Sequence, residues 1–263
     1  MAPSKRDLSI PWPFAPQKVD LNNDTNLLKL VAMIAMFIDH AGKMLFPQYP
    51  IMRVIGRMAF PIYAYCIAVG CVYTKDPLKY FKRIVLLALI SQPFYAVALG
   101  HENAAMYAIS FEEHPVQEAI NFYVQSWAKP SILLTLAFGI LVIWTIRERE
   151  LLLTLALALF CWKIQAKLDY GIRGLLLMVL FYLFCSRWWI SLPVMVCYMG
   201  WWGLKGAGYT LFDVSFGIQM FAMLALPLIY IHTKSKIRIN KWLFYFYYPA
   251  HMILIMAMDR FLI

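Results

Sequence analysis

The sequence predicts an all-α fold: a polytopic membrane helix bundle of about nine transmembrane helices, within a range of eight to ten. Three observations predict it. Hydrophobic residues fill 62% of the 263 positions and charged residues only 14%, more apolar surface than one soluble core can bury. The mean hydropathy is +0.65. The apolar residues also fall into nine runs separated by short polar or basic segments, at 27–46, 51–73, 80–99, 130–146, 151–163, 171–185, 188–204, 214–231 and 242–260.

Taken in order, residues 1–26 read as a cytoplasmic tail. Lys5 and Arg6 are followed by Asp7 and the stiff PWPFAP at 11–16, with no apolar core before residue 27, so the tail is not a cleaved leader. Trp12 and Phe14 suit a headgroup layer. Residues 27–263 form the membrane domain. Its first run carries Lys29, Asp39 and His40, and its second opens on Arg53 and Arg57. After the third run comes a long loop at 100–129 with Glu102, Glu112, Glu113 and Glu118. Pro115 is a suitable first helical residue there, and Val116, Ile120, Tyr123, Val124 and Trp127 recur at helical spacing, which predicts an amphipathic helix at the outer interface. The fourth to eighth runs follow, 151–163 being short for a span, and the ninth holds His251.

The net charge of +10 is explained by its placement. Most lysines and arginines lie in the tail and in 74–83, 147–150, 186–187 and 232–241. The opposite loops hold only Lys43, Lys129, Lys163, Lys167, Lys205 and Arg260. The positive-inside rule then puts the N-terminus in the cytoplasm of a bacterial-type inner membrane, with lipid rather than nucleic acid as the partner of the basic residues. Cys66, Cys71, Cys161, Cys185 and Cys197 all fall within apolar runs and form no CxxC pair, so they read as packing residues and no metal site is expected.

The chemistry concentrates in the first two runs. An ionisable side chain in hydrocarbon costs about 3 kcal/mol by insertion scales, so a helix carrying Lys29, Asp39 and His40 is expected to line a site. Eleven residues bring Lys29 and His40 to within about 20° on one helical face, about 16 Å apart along the axis. Asp39 points about 100° away from His40, which makes it a poor orienting group for that imidazole and a better partner for an arginine. Arg53 and Arg57, spaced i, i+4, share a face and present two forks suited to a phosphate, a carboxylate or Asp39. HExxH, GxSxG and GxxxxGK[ST] motifs are absent.

Four segments resemble one family. LKLVAMIAMFIDHAGKMLFP at 28–47, RVIGRMAFPIYAY at 53–65, LDYGIRGLLLMVLFYLF at 168–184 and KWLFYFYYPAHMILI at 241–255 are similar in content and order to the TraX family, whose named activity is N-terminal acetylation of conjugative pilin. The basic-x10-His spacing of Lys29 and His40 resembles that of the wider membrane acyltransferase-3 group. The resemblance implies an acetyltransferase that draws on cytoplasmic acetyl-CoA and modifies an amine or hydroxyl of a pilin-like peptide, a glycan or a small exported acceptor, with no metal. On it, His40, Asp39 and His251 are the candidate catalytic residues, Lys29, Arg53 and Arg57 the donor-binding residues, and Asp169 and Tyr170 acceptor or supporting residues. The long acidic loop is the departure from the family pattern. A general base for acyl transfer suits His40, and the developing oxyanion suits Arg57, Tyr170 or His251. Two other readings use the same sequence: a proton-coupled permease with an Asp39, His40 and His251 relay, and a non-catalytic assembly partner of a secretion system.

Overall fold

The computed structural model describes residues 14–100, 106, 109–110 and 114–262. The expectations for Trp12, Glu102, Glu112 and Glu113 fall outside these residues. Eleven α-helices are found among the described residues: α1 (Thr25–Met44), α2 (Pro50–Gly56), α3 (Ala59–Tyr73), α4 (Pro77–Ala98), α5 (Pro115–Ser126), α6 (Ile132–Arg147), α7 (Leu151–Lys163), α8 (Gly171–Phe184), α9 (Trp188–Leu204), α10 (Leu226–Tyr230) and α11 (Lys241–Leu262). By length and composition, the α2–α3 segment Pro50–Tyr73 and α4 are long and apolar enough to cross a membrane.

Local chemistry sets the helix starts. Asp24 accepts from the Leu27 N–H and Asp76 from the Lys79 N–H, each satisfying an orphan donor of a first turn. Pro50, Pro77 and Pro115 sit where their missing N–H is not needed. On α5, Val116, Ile120 and Val124 are exposed along one stripe, while the Tyr123 hydroxyl donates to the Leu89 carbonyl and ties the helix to α4.

Two predicted helices differ from expectation. The second run is one apolar stretch but two helices, tightened at Arg57 and Met58, whose N–H groups reach the carbonyls of Val54 and Ile55. Pro61, four residues after Arg57, has no N–H to offer the Arg57 carbonyl, so one bond of a regular α-helical ladder is missing at this point. The eighth run, 214–231, is not a continuous helix. It contains β2 (Val214–Gly217), paired antiparallel with β1 (Gly208–Leu211), then a 3₁₀-helix over Ile218–Ala225 and the short α10. Phe212 and Asp213, both at positive φ, form the two-residue hairpin turn. Gly206 and Gly217 approach so closely that a Cβ on either would meet the other's backbone.

The centre of the bundle is α3, α6 and α8. Tyr65, Phe181, Tyr182, Met178 and Ile143 are fully buried there, with Tyr65 edge-on to Phe181 at 5.5 Å. Around it α1 packs on α2, α3 and α11, and α4 on α6 and α11. The segment before α1 is fastened to the connection after α10. Buried Asn22 donates to the Leu228 carbonyl and the Thr233 hydroxyl, and the Tyr65 hydroxyl donates to the Asn22 carbonyl.

Candidate functional site

Asp39 and His40 are adjacent on α1 and serve two separate clusters. The Asp39 carboxylate is buried and takes both arginines. Arg57 donates from one terminal nitrogen to both carboxylate oxygens, at 2.7 and 2.6 Å. Arg53 reaches Oδ2 at 2.7 Å and the Asp39 backbone carbonyl at 3.0 Å. This contact is possible because residue 56 is glycine: a Cβ there would overlap the Asp39 side chain. A buried carboxylate held by two guanidiniums satisfies charges that would be expensive to leave alone.

Arg57 continues the cluster into a distant part of the chain. Its second terminal nitrogen donates to the Tyr170 hydroxyl at 3.1 Å. Tyr170 stands at φ +59° and Gly171 at φ +52°, so the DYG turn ahead of α8 is left-handed at two successive residues. Asp169 accepts from the Tyr170 N–H at 3.1 Å, and its carbonyl accepts from the Thr135 hydroxyl at 2.8 Å. The Tyr170 ring lies flat on Phe60, 4.2 Å between centroids, with Trp202 edge-on. Burial pushes the Asp169 carboxyl up, opposed by the nearby Lys129 and Arg57.

The second cluster joins His40 to the last helix. His40 Nδ1 lies 2.9 Å from His251 Nε2, and His251 Nδ1 lies 2.8 Å from the Tyr247 carbonyl. The His251 ring is stacked on Tyr247 at 4.8 Å and met edge-on by Tyr248 at 5.6 Å. The Tyr247 hydroxyl donates to the Met33 carbonyl at 2.6 Å, which pins α11 to α1 beside the imidazoles.

One cavity of about 650 Å³ runs along α1 and collects most of these groups. Thr25 and Lys29 line it at the start of the helix, and Asp39, His40 and Lys43 at the end. Lys29 lies over the Phe244 ring at 5.1 Å and Arg83 over the Tyr80 ring at 5.6 Å. At the other end Lys43 donates to the Leu99 carbonyl at 2.6 Å, and Lys129 and Asp169 share the wall. The sequence-predicted residues therefore divide. Asp39, Arg53, Arg57 and Tyr170 form one bonded network with Asp169 beside it; His40 and His251 form a second; Lys29 stands apart, about three helical turns from His40.

Sequence reasoning missed Arg83, Lys43, Lys129 and the aromatic wall of Phe244, Tyr245, Tyr247 and Tyr248. The signal for the wall was present in the WLFYFYYPAH run, where aromatics surround a histidine. No group of three His, Cys, Asp or Glu side chains suited to a metal occurs among the described residues. Cys66, Cys71, Cys161 and Cys185 are buried and free, and Cys197 is exposed and free.

Fold and site together define an all-α bundle with a charge-lined cavity, His40 on its wall and His251 buried behind it. A family model described as "TraX protein" matches residues 24–259, and the chain belongs to the TraX family. It is similar to the "Probable fimbrial assembly protein FimC, serogroup H1" of Dichelobacter nodosus, 26% identical over 249 residues that cover 89% of this chain and 95% of the relative. An uncharacterized protein of Rickettsia prowazekii (strain Madrid E) is 39% identical over 75 residues, 28% of each chain. No solved structure matches.

Proposed function

We propose that this chain is a multi-pass acetyltransferase of a bacterial-type inner membrane, moving an acetyl group from cytoplasmic acetyl-CoA to an amine or hydroxyl of an acceptor outside. The membrane reading is supported by the outer surface of the bundle. On α7, Leu151, Leu152, Leu155, Leu159, Phe160 and Trp162 are all exposed, Leu152 by 86%, and only Cys161 is buried. A helix that presents leucine on nearly every side suits lipid as its solvent. With the N-terminus in the cytoplasm, α5 lies as an amphipathic helix on the outer face.

The observation that carries the acyl-transfer reading is the single cavity that joins Lys29 to His40. At the cytoplasmic end, Lys29 and Arg83 among Phe244 and Tyr80 offer cations and ring faces, a combination that suits the phosphates and purine of a nucleotide donor. From there to His40 is about 16 Å of helix, a distance for an extended arm to cross inside the protein. The donor supplies an acetyl thioester. His40 takes the proton from the attacking amine or hydroxyl as the new N–C or O–C bond forms, and returns it to the sulfur as the C–S bond breaks, so no proton is lost or gained. The cluster of Asp39 with Arg53 and Arg57 shapes the wall, and Tyr170 or Arg57, on the wall of the same cavity, serves as donor for the developing oxyanion. A pilin-like peptide is the favoured acceptor, because the similar Dichelobacter protein is named for fimbrial assembly.

A cavity with ionisable groups along its length also suits a proton-coupled permease, and one experiment separates the two. Purified protein in lipid nanodiscs is given radiolabelled acetyl-CoA and a synthetic peptide with a free amino-terminus from a pilin. Label in the peptide, lost by at least about 100-fold in His40→Gln, supports the acetyltransferase. Absence of label for peptide, glycan and small-amine acceptors alike, with proton uptake retained in liposomes, replaces it with the permease.

A further inference from the structure

The three-member chain of Tyr247 carbonyl, His251 and His40 has a direction. A carbonyl oxygen only accepts, so at 2.8 Å His251 Nδ1 carries the hydrogen and donates to Tyr247. A neutral His251 then has a bare Nε2, which accepts. Its partner at 2.9 Å, His40 Nδ1, carries the hydrogen of that bond. The remaining nitrogen, His40 Nε2, is left with an unshared pair. It has no hydrogen-bond partner among the described residues, and His40 lies on the cavity wall. The reverse direction would set the lone pair of His251 Nδ1 against the lone pairs of the Tyr247 carbonyl and leave Nδ1 without a partner in a site where His251 is 3% exposed.

We infer that His251 is a positioning residue that holds His40 in the Nδ1–H tautomer and thereby makes His40 Nε2 the proton-accepting atom of the site. The inference rests on the acyl-transfer reading for its consequence, though not for the tautomer itself. Both nitrogens of His251 are occupied, so it neither takes the acceptor's proton nor donates to the oxyanion. Asp39 is excluded from the orienting role for a comparable reason, since its carboxylate is spent on Arg53 and Arg57. A backbone carbonyl thus takes the far end of the chain, the place that a carboxylate holds in the serine protease triad. The chain is fixed by ring packing as well as by hydrogen bonds: Tyr247 and Tyr248 hold the His251 plane, and the Tyr247 hydroxyl anchors that turn to Met33. When His40 gains the acceptor's proton, its Nδ1–H already points at a good acceptor, so the imidazolium forms with no rearrangement of the pair.

The test is nitrogen NMR of isotope-labelled histidine in the full protein in nanodiscs, with signals assigned by their loss in His40→Gln and His251→Gln. The expected spectrum of the wild type has His40 protonated at Nδ1 and bare at Nε2. His251→Gln places an amide oxygen near the position of Nε2, so it keeps the His40 tautomer and most of kcat. His251→Phe keeps the stacked ring but offers no acceptor; His40 shifts toward the Nε2–H form and kcat falls at least about tenfold while KM for acetyl-CoA is unchanged. A wild-type His40 protonated at Nε2, or a His251→Phe protein with unchanged tautomer and kcat, overturns the inference. If the Phe variant does not fold, the wild-type and Gln spectra decide. An Nδ1–H His40 in a protein that transfers no acetyl group refutes the acyl-transfer reading and supports the tautomer assignment.

Discussion

His40 and His251 lie 211 residues apart in sequence and 2.9 Å apart in the fold. The contact closes the bundle between its first and last helices. Asp39, one residue from His40, faces the other way and closes α1 onto α2 through two arginines. One turn of α1 therefore anchors two polar clusters, and the packing of α1 against α2 on one side and α11 on another is what lets them coexist in an apolar bundle.

The approach of α1 to α2 depends on Gly56. A Cβ at this position overlaps the Asp39 side chain, and neither α1 nor α2 can move without breaking the Arg53 and Arg57 bonds. Gly56→Ala is expected to destabilise by about 1–3 kcal/mol, the usual range for overpacking a rigid contact. Gly200→Ala, in α9 with nothing within 4 Å of the added carbon, is the control, and is expected to be neutral or to stabilise by about 0.5–1 kcal/mol. Thermal unfolding of both variants in detergent checks the contrast; equal midpoints would remove the steric argument.

The Asp39 cluster is a buried ion network, so removing the anion should hurt more than softening a cation. Asp39→Asn leaves Arg53 and Arg57 facing one another and is expected to lose about 3–5 kcal/mol. Arg57→Lys keeps a charge near Asp39 but gives up the pair of bonds to Asp39 together with the bond to Tyr170. It should fold, with a smaller loss of about 1–3 kcal/mol and a lower kcat as the Tyr170 turn loosens. Denaturation midpoints and turnover for the two variants, measured side by side, test the order; a more damaging Arg57→Lys would reverse the assignment.

Much of this site was legible because charge is conspicuous in apolar sequence. Lys29, Asp39, His40, Arg53 and Arg57 stand out in two helices, and the 100° step between Asp39 and His40 already assigned them to different neighbours. What periodicity could not supply was the partner of His40, since no spacing rule links positions 40 and 251. Arg83 was hidden among the basic residues of 74–83, which the positive-inside rule already accounts for as topology markers. The hairpin at 208–217 was missed because hydropathy treats Val214 and Phe216 like any helical apolar residue. The glycines at 206, 208 and 217 determine the backbone there, and hydropathy is blind to them. The break at Arg57 was written in Pro61, but an apolar run masks a proline that falls in a first turn.

Asp24 gives a pH dependence outside the helices. Hydrogen bonds from Ser235, the largest influence, and from Leu27 and Thr233 hold its carboxyl below the usual range, against partial burial. A carboxyl depressed in the folded state stabilises above its unfolded pKa of about 3.9, and that contribution disappears as pH falls through the folded value. The gap in unfolding temperature between wild type and Asp24→Asn should be constant from about pH 5 to 8 and close below about pH 4. A gap that instead persists undiminished at acid pH would assign the effect to packing of the segment before α1.

The Lys29 end of the cavity makes the last prediction. Lys29 and Arg83 lie over different rings, Phe244 and Tyr80, on the wall of the same cavity, and Lys29 is about three turns of α1 from His40. If they hold the donor's phosphates, Lys29→Ala and Arg83→Ala should each raise KM for acetyl-CoA by about tenfold, one charge-assisted contact being about 1.5 kcal/mol, and leave kcat within about twofold. High salt should narrow the difference from wild type, because contacts open to water are screened. The split between KM and kcat is the discriminating measurement: His40→Gln must lose kcat with little change in KM, and Lys29→Ala the reverse. A Lys29→Ala protein with unchanged KM at low salt would move the donor site away from this end, and with it the direction in which the acetyl group travels along α1.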